Sequence, residues 1–190
     1  MPKHICGLLL AAGSATRFGE QKLLYPLANG KSIIAASAST LKQTMQHCVA
    51  VVQNGNDEVS QILIEKGYEL VVNSNHEDGM GSSIQCGISG SSADAWVIAL
   101  ADMPFIQEAT IKTIIGHLEN GEKIVAPVYK QQRGHPVGFS SIFKRQLLEL
   151  NDDAGAYNIL QSNKSDLKTF ETDDSGVIYD IDYKQDLEQL

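Results

Sequence analysis

The stretch Leu10-Ala11-Ala12-Gly13-Ser14-Ala15-Thr16-Arg17-Phe18-Gly19 combines small side chains with a cation, and Lys22 adds a second cation just beyond it. Gly13 and Gly19 permit a tight backbone, and the small side chains let main-chain N–H groups approach an anion. A triphosphate carries about four negative charges, which amides, an arginine and a lysine together can neutralise. The spacing is not that of the P-loop, which puts Gly-Lys-Ser/Thr at a helix start, nor is it Gly-x-Gly-x-x-Gly. A tight strand-to-helix turn with ordinary surface charges fits the same composition.

Four further groups could carry chemistry. Asp102 follows the apolar run Ala95–Ala101 and precedes Met103-Pro104. A carboxylate at the end of a buried strand is placed to hold Mg²⁺, or Mn²⁺ in its stead; a turn or helix-capping aspartate is the alternative. Gly79-Met80-Gly81-Ser82-Ser83 offers N–H groups and two hydroxyls to a base or ribose, or a serine N-cap to a helix. Arg133-Gly134-His135-Pro136, with Lys130 nearby, suits a second anionic substrate, or is a basic hairpin turn with a structural histidine. Asp180-Ile181-Asp182 and Asp186 include a candidate second metal ligand, against which stands a solvated acidic tail that also takes in Asp173 and Asp174.

The elements needed to position these residues follow from apolar periodicity. Short apolar runs at Ile5–Leu10, Cys48–Gln53, Glu69–Val72, Ala95–Ala101 and Lys123–Val128 read as strands. Helical spacing recurs at Lys31–Met45, Asp57–Lys66, from Ser82 onward, and at Gln107–Leu118. The alternation predicts a three-layer α/β/α, Rossmann-like sheet, mostly parallel. In such sheets ligands bind beyond the carboxyl ends of the strands, where the first loop, the Asn73–Ser83 loop and Asp102 all fall. After Val128 the pattern loosens: a strand at Pro136–Ser140, a helix near Ile142–Leu150, a polar loop and a short helix, then late strands at Leu167–Phe170 and Val177–Ile181.

Bulk properties narrow the class. The 190 residues suit one domain, read as a nucleotide-binding part over about 1–128 and an acceptor-binding part over about 129–190. The formal charge of −8 argues against nucleic acid as a partner. No apolar run approaches the roughly 20 residues of a membrane span. Cys6, Cys48 and Cys86 show neither disulfide nor zinc spacing, which points to a reducing cytoplasm.

These motifs, in this order, resemble the nucleotidyltransferases acting on molybdenum cofactor. The resemblance rests on Leu10-Ala11-Ala12-Gly13-x-x-x-Arg17-Phe18-Gly19-x-x-Lys22-Leu23-Leu24, Gly79–Ser83, Ala101-Asp102-Met103-Pro104, Arg133–Phe139 and Asp180-Ile181-Asp182. Ala12 resembles the cytidylyltransferase branch, since the guanylyltransferase branch typically reads Leu-Ala-Gly-Gly there. The resemblance implies transfer of CMP from CTP to molybdopterin cofactor, with release of pyrophosphate and with Mg²⁺ as cofactor. It implies nucleotide contacts from Leu10 to Ser14, Arg17, Lys22, Gly81, Ser82, Ser83 and Asp102, with Lys22, Arg17 and Asp102 catalytic. It also implies metal ligation by Asp102 and Asp182, and acceptor contacts from Arg133, His135, Pro136, Gly155 and Tyr157. Tyr157 stands where the branch often has arginine. A molybdenum hydroxylase that receives the product is the implied protein partner.

Two other classes share the motifs: a nicotinamide-dependent oxidoreductase and a chaperone that carries or inserts the cofactor. The first loop lacks the spaced glycines of a dinucleotide fingerprint. A carrier has no need of Lys22 and Asp102 together.

Overall fold

The computed structural model describes residues 4–13, 18, 21–150 and 153–189. Its elements in chain order are β1 (Ile5–Ala11), α1 (Ile33–Thr44), β2 (His47–Gln53), α2 (Asp57–Glu65), β3 (Glu69–Asn73), α3 (Met80–Ser89), β4 (Ala95–Leu100) and α4 (Glu108–Glu119). Then follow β5 (Ile124–Tyr129), β6 (Gln132–Arg133), β7 (Val137–Ser140), α5 (Lys144–Leu148), α6 (Tyr157–Ser162) and β8 (Leu167–Glu171). Among the described residues no helix is long and apolar enough to cross a membrane.

The strands form one sheet in the order β3-β2-β1-β4-β7-β5-β6, with β8 beside β5. β1 pairs in parallel with β2 and β4, and β2 with β3. β7 runs antiparallel between β4 and β5. Because strand side chains alternate between faces, Leu9 and Ala11 of β1 join α1, α2 and α4 on one side. Cys6, Leu8 and Leu10 join α3, α5 and α6 on the other. Both faces of β1 and β4 are thus covered, which is why these strands read as unbroken apolar runs. The architecture is the expected three-layer α/β fold with a mostly parallel central sheet, in which β7 and the short β6 run against the other strands.

Local signals set the helix ends. The Ser32 hydroxyl caps α1 by accepting from Ala35 N at 3.3 Å. Asp57 and Glu58 lie in the first turn of α2, where the helix dipole favours negative charge. α3 begins at Met80, earlier than the serines suggested, because Gly79 at φ 92 turns the chain into the helix.

The late strand expected at Val177–Ile181 does not form. Residues Ser175–Ile178 make a 3₁₀ turn, and the chain continues without regular structure to Asp182. Val177 and Ile181 are both fully buried, but as separate plugs rather than as one face of a strand. Asp174 sets this turn. It is buried rather than part of a solvated tail, and its carboxylate accepts from Gln107 N, Thr110 Oγ1 and Gly176 N at 2.7–3.0 Å. Gly176 lies so close to the Phe105 carbonyl that an added Cβ would stand 2.3 Å from its oxygen. Gly176→Ala should therefore cost about 1–3 kcal/mol of stability, read as a lowered urea midpoint. An unchanged midpoint would show that the backbone yields freely there.

Candidate active site

Three chain segments meet at the carboxyl ends of β1 and β4. Lys22 sits in a 3₁₀ turn, Lys22–Leu24, whose Leu23 and Leu24 pack on the core. Asp102 follows β4 in a turn fixed from two sides. The Ser37 hydroxyl of α1 donates to Ala101 O at 2.8 Å, and Ala101 N donates to Leu10 O at 3.1 Å. Asp182 arrives with the C-terminal segment, held by Ile181 N donating to Asp102 O at 3.0 Å. Ile181 also packs with Phe18, Leu27 and Ile33.

The Lys22 ammonium donates to Asp102 Oδ2 at 2.8 Å and to Asp182 Oδ1 at 3.3 Å. Its side chain is only 12% exposed. Burial alone would lower its pKa, but the two carboxylates outweigh that and raise it above the ordinary lysine value. Lys22 is therefore charged throughout the neutral range. Asp180 lies close enough to both carboxylates to feel them: burial, then Asp102 and Asp182, push its pKa up. Asp186 instead accepts from Asp182 N and Tyr183 N, at 2.8 and 2.7 Å, and so fixes the backbone that carries Asp182.

These groups line a cleft of about 630 Å³. Leu10, Ala11, Ala12 and Gly13 form its floor beside Lys22, Asp102 and Asp182, and Ser83 and Met80 belong to the opposite wall. Sequence reasoning missed the rest of that wall, His76, Glu77 and Asp78, which lie in a short 3₁₀ turn inside a polar loop with no periodic signal. Ser14 and Arg17 fall outside the described residues. Gly81 and Ser82 are buried behind the wall, and Ser82 faces a second depression beside Asn73 and Gln85. Neither serine caps α3.

None of the acceptor candidates lines this cleft itself. Continuing the antiparallel register of β4 and β7, in which Ile98 faces Val137, puts His135 opposite Leu100. His135 N donates to Val177 O at 2.8 Å, and its ring Nδ1 is enclosed without a partner among the described residues. Burial and then Arg133 lower its pKa, against a smaller opposing pull from Asp102. Arg133 lies over the Tyr157 ring, 5.9 Å from its centre. Pro136 is buried. Gly155, at φ 56, abuts Met80, and Gly79 abuts Asp153, so the loop before α6 rests on the mouth of the cleft.

The donor set suits a divalent cation. Asp102 and Asp182 are hard oxygen donors already gathered about one positive charge. Among the described residues no group of three or more histidine, cysteine or acidic side chains could enclose a metal. Substrate phosphates and water would have to complete the shell, as is usual for Mg²⁺.

Sheet order, the small residues at the end of β1 and the Lys22 carboxylate pair fit a nucleotidyltransferase. Residues 7–167 match the MobA-like NTP transferase domain, and the chain belongs to that family. It is 27% identical to the purine catabolism protein PucB of Bacillus subtilis over 98% of this chain and 96% of the relative. It is also 27% identical to a molybdenum cofactor guanylyltransferase of Desulfosudis oleivorans, over 77% of this chain and 68% of the relative. The fold matches Rv0371c of Mycobacterium tuberculosis at a TM-score of 0.87 and 24% identity, covering 100% of this chain and 97% of that one. Rv0371c has also been solved in complex with manganese.

The depressed pKa of His135 has a consequence for stability. Unfolded histidine takes up a proton near pH 6.5, whereas the folded one resists it, so the unfolded state binds more protons below that pH. Stability attached to this residue is therefore present above pH 6.5 and is lost as the pH falls toward the folded pKa. His135→Gln should flatten the decline in melting temperature as the pH falls below 6.5. An identical decline in both proteins would show that His135 titrates normally.

Proposed function

We propose that this chain transfers CMP from CTP to the terminal phosphate of molybdopterin cofactor, releasing pyrophosphate. The observation that carries the reading is the Lys22 ammonium shared between Asp102 and Asp182 at the mouth of the small-residue β1 loop. Ala12, in place of a second glycine, supports CTP as donor. The relatives named for guanylyl transfer make GTP the competing donor.

In this reading residues 1–128 hold the nucleotide. The amides around Ala12, Gly13 and Ser14, with Arg17, bind the β- and γ-phosphates. Ser83 faces the nucleoside. The acceptor phosphate monoester is already largely ionised near neutral pH, its second pKa being about 6, so its oxygen attacks the α-phosphorus without a dedicated base. A bond forms from that oxygen to phosphorus as the α–β bridging bond breaks, and pyrophosphate leaves with the bonding pair. Lys22 turns from the carboxylates to the α-phosphate and neutralises charge gathering on its oxygens. Asp102 and Asp182 would hold Mg²⁺ or Mn²⁺, which supplies further neutralisation of the phosphates when bound.

Residues 129–190 supply the acceptor side. Arg133 and His135 stand at the rim, and Tyr157 with Gly155 borders the cleft mouth. Product would pass to a molybdenum hydroxylase.

Lys22→Ala and Asp102→Ala should each lower turnover by orders of magnitude while circular dichroism stays unchanged, since one such contact is worth about 3–4 kcal/mol in a transition state. Near-normal turnover in either variant would sink the assignment. The donor is tested with Mg²⁺, purified molybdenum cofactor and each of the four nucleoside triphosphates in turn, by measuring pyrophosphate. Release with CTP alone is expected; release with GTP alone, or with none, overturns the reading.

A further inference from the structure

The wall that faces the nucleoside is organised by a buried amide that no motif singles out. Asn73 ends β3 and is 4% exposed. Its Oδ1 accepts from Asn75 N at 2.9 Å. A backbone N–H can only donate, so this contact settles which end of the amide is oxygen. Nδ2 therefore points the other way, with two hydrogens to give. It donates one to Ser82 Oγ at 3.0 Å and one to Ser83 Oγ at 3.1 Å.

The two hydroxyls then differ in what remains to them. Ser82 Oγ lies 2.8 Å from Gly79 O and 2.9 Å from Asn75 O, so its single proton is spent within the loop. Ser83 has no carbonyl or other acceptor at hydrogen-bond distance among the described residues. Its oxygen is engaged by Asn73, its own proton is not, and it lines the cleft. A hydroxyl that accepts from an amide on one side presents its O–H on the other.

We infer that Asn73 is a positioning residue that fixes the polarity of Ser83, making it a hydrogen-bond donor to an acceptor atom on the nucleoside. The inference rests on the cleft taking a nucleoside triphosphate, as proposed above. The group Ser83 selects is one with a lone pair: a base carbonyl, an unprotonated ring nitrogen or a ribose oxygen. Asn73 itself touches no ligand.

The shape of Asn73 is matched by aspartate, which inverts the polarity. A carboxylate still accepts from Asn75 N, but it also accepts from the serine hydroxyls and turns the Ser83 proton inward. Asn73→Ala removes the amide without adding charge and leaves Ser83 free to rotate either way.

The test is a double-mutant cycle on nucleoside triphosphate affinity, measured by calorimetry with Mg²⁺ and without acceptor. CTP and GTP serve as probes, and thermal melts are recorded for every variant. Wild type that binds neither nucleotide overturns the proposed function itself. Given wild-type binding, Ser83→Ala should weaken the bound nucleotide by about tenfold, the scale of one hydrogen bond. Asn73→Asp should weaken it equally, and Asn73→Ala by less. Combining Asn73→Asp with Ser83→Ala should add nothing to either alone. In turnover the nucleotide KM should rise while the acceptor KM stays put. Additive losses, an Asn73→Asp protein that binds like wild type, or matched rises in both KM values would overturn the inference. If Asn73→Asp does not fold, Asn73→Ala takes its corner of the cycle, and additivity with Ser83→Ala overturns the inference in the same way.

Discussion

One ammonium between two carboxylates organises the ligand end of this molecule. Asp102 belongs to a strand end and Asp182 to the far C-terminal segment, 80 residues apart in the chain. Holding two like charges together in a half-enclosed cleft is unfavourable unless a cation stands between them. Lys22 is that cation, and the trio keeps a formal charge of −1. In the proposed reaction the two carboxylates would meet the triphosphate through a divalent ion rather than directly, with Lys22 standing among the oxygens that the reaction requires it to leave.

The C-terminal segment makes that arrangement possible. Asp174 pins its start to the first turn of α4, Val177 takes the backbone of His135, Ile181 bonds to Asp102 and plugs the cluster around Phe18, and Asp186 fixes the next turn. None of this is a strand or a long helix. Its order comes from side-chain carboxylates accepting main-chain N–H groups and from close backbone contacts at Gly134 and Gly176. Such a segment is cheap in residues and reaches several strand ends at once, which regular structure could not do.

This also explains what was legible in the sequence. The strands β1, β2 and β4 are apolar on both faces, and the helices between them keep their period, so the layered sheet and the carboxyl-end location of the site could be read directly. Lys22 and Asp102 stood out as charges at element ends, whereas Asp182 was one of several carboxylates near the C-terminus and was singled out only by the family resemblance. The loop His76–Asp78 and the amide of Asn73 did not stand out, because hydrogen-bond networks in loops leave no periodic trace. Asp174 and its exposed neighbour Asp173 fit a solvated acidic tail, one of two open readings of the C-terminal carboxylates, since sequence carries no mark of which of two adjacent carboxylates points inward. The Val177–Ile181 strand failed for a related reason: two buried residues at that spacing were anchored in different places, not along one face.

The reversed strand β7 has a consequence for how such a protein can diversify. Every parallel strand delivers its end to the ligand rim, but β7 delivers its beginning. The hairpin of Lys130 to Pro136 therefore reaches the rim from outside the nucleotide half and shares no strand with β1. Its exposed turn at Lys130 and Gln131 can vary without touching the Lys22 trio, whereas Gly134 and His135 hold Val177 and with it the segment that carries Asp182. In the proposed division of labour a lineage built on this sheet could keep one donor chemistry and trade recipients, with the turn at Lys130 and Gln131, both in left-handed backbone, as the place where such exchanges would leave the sheet intact.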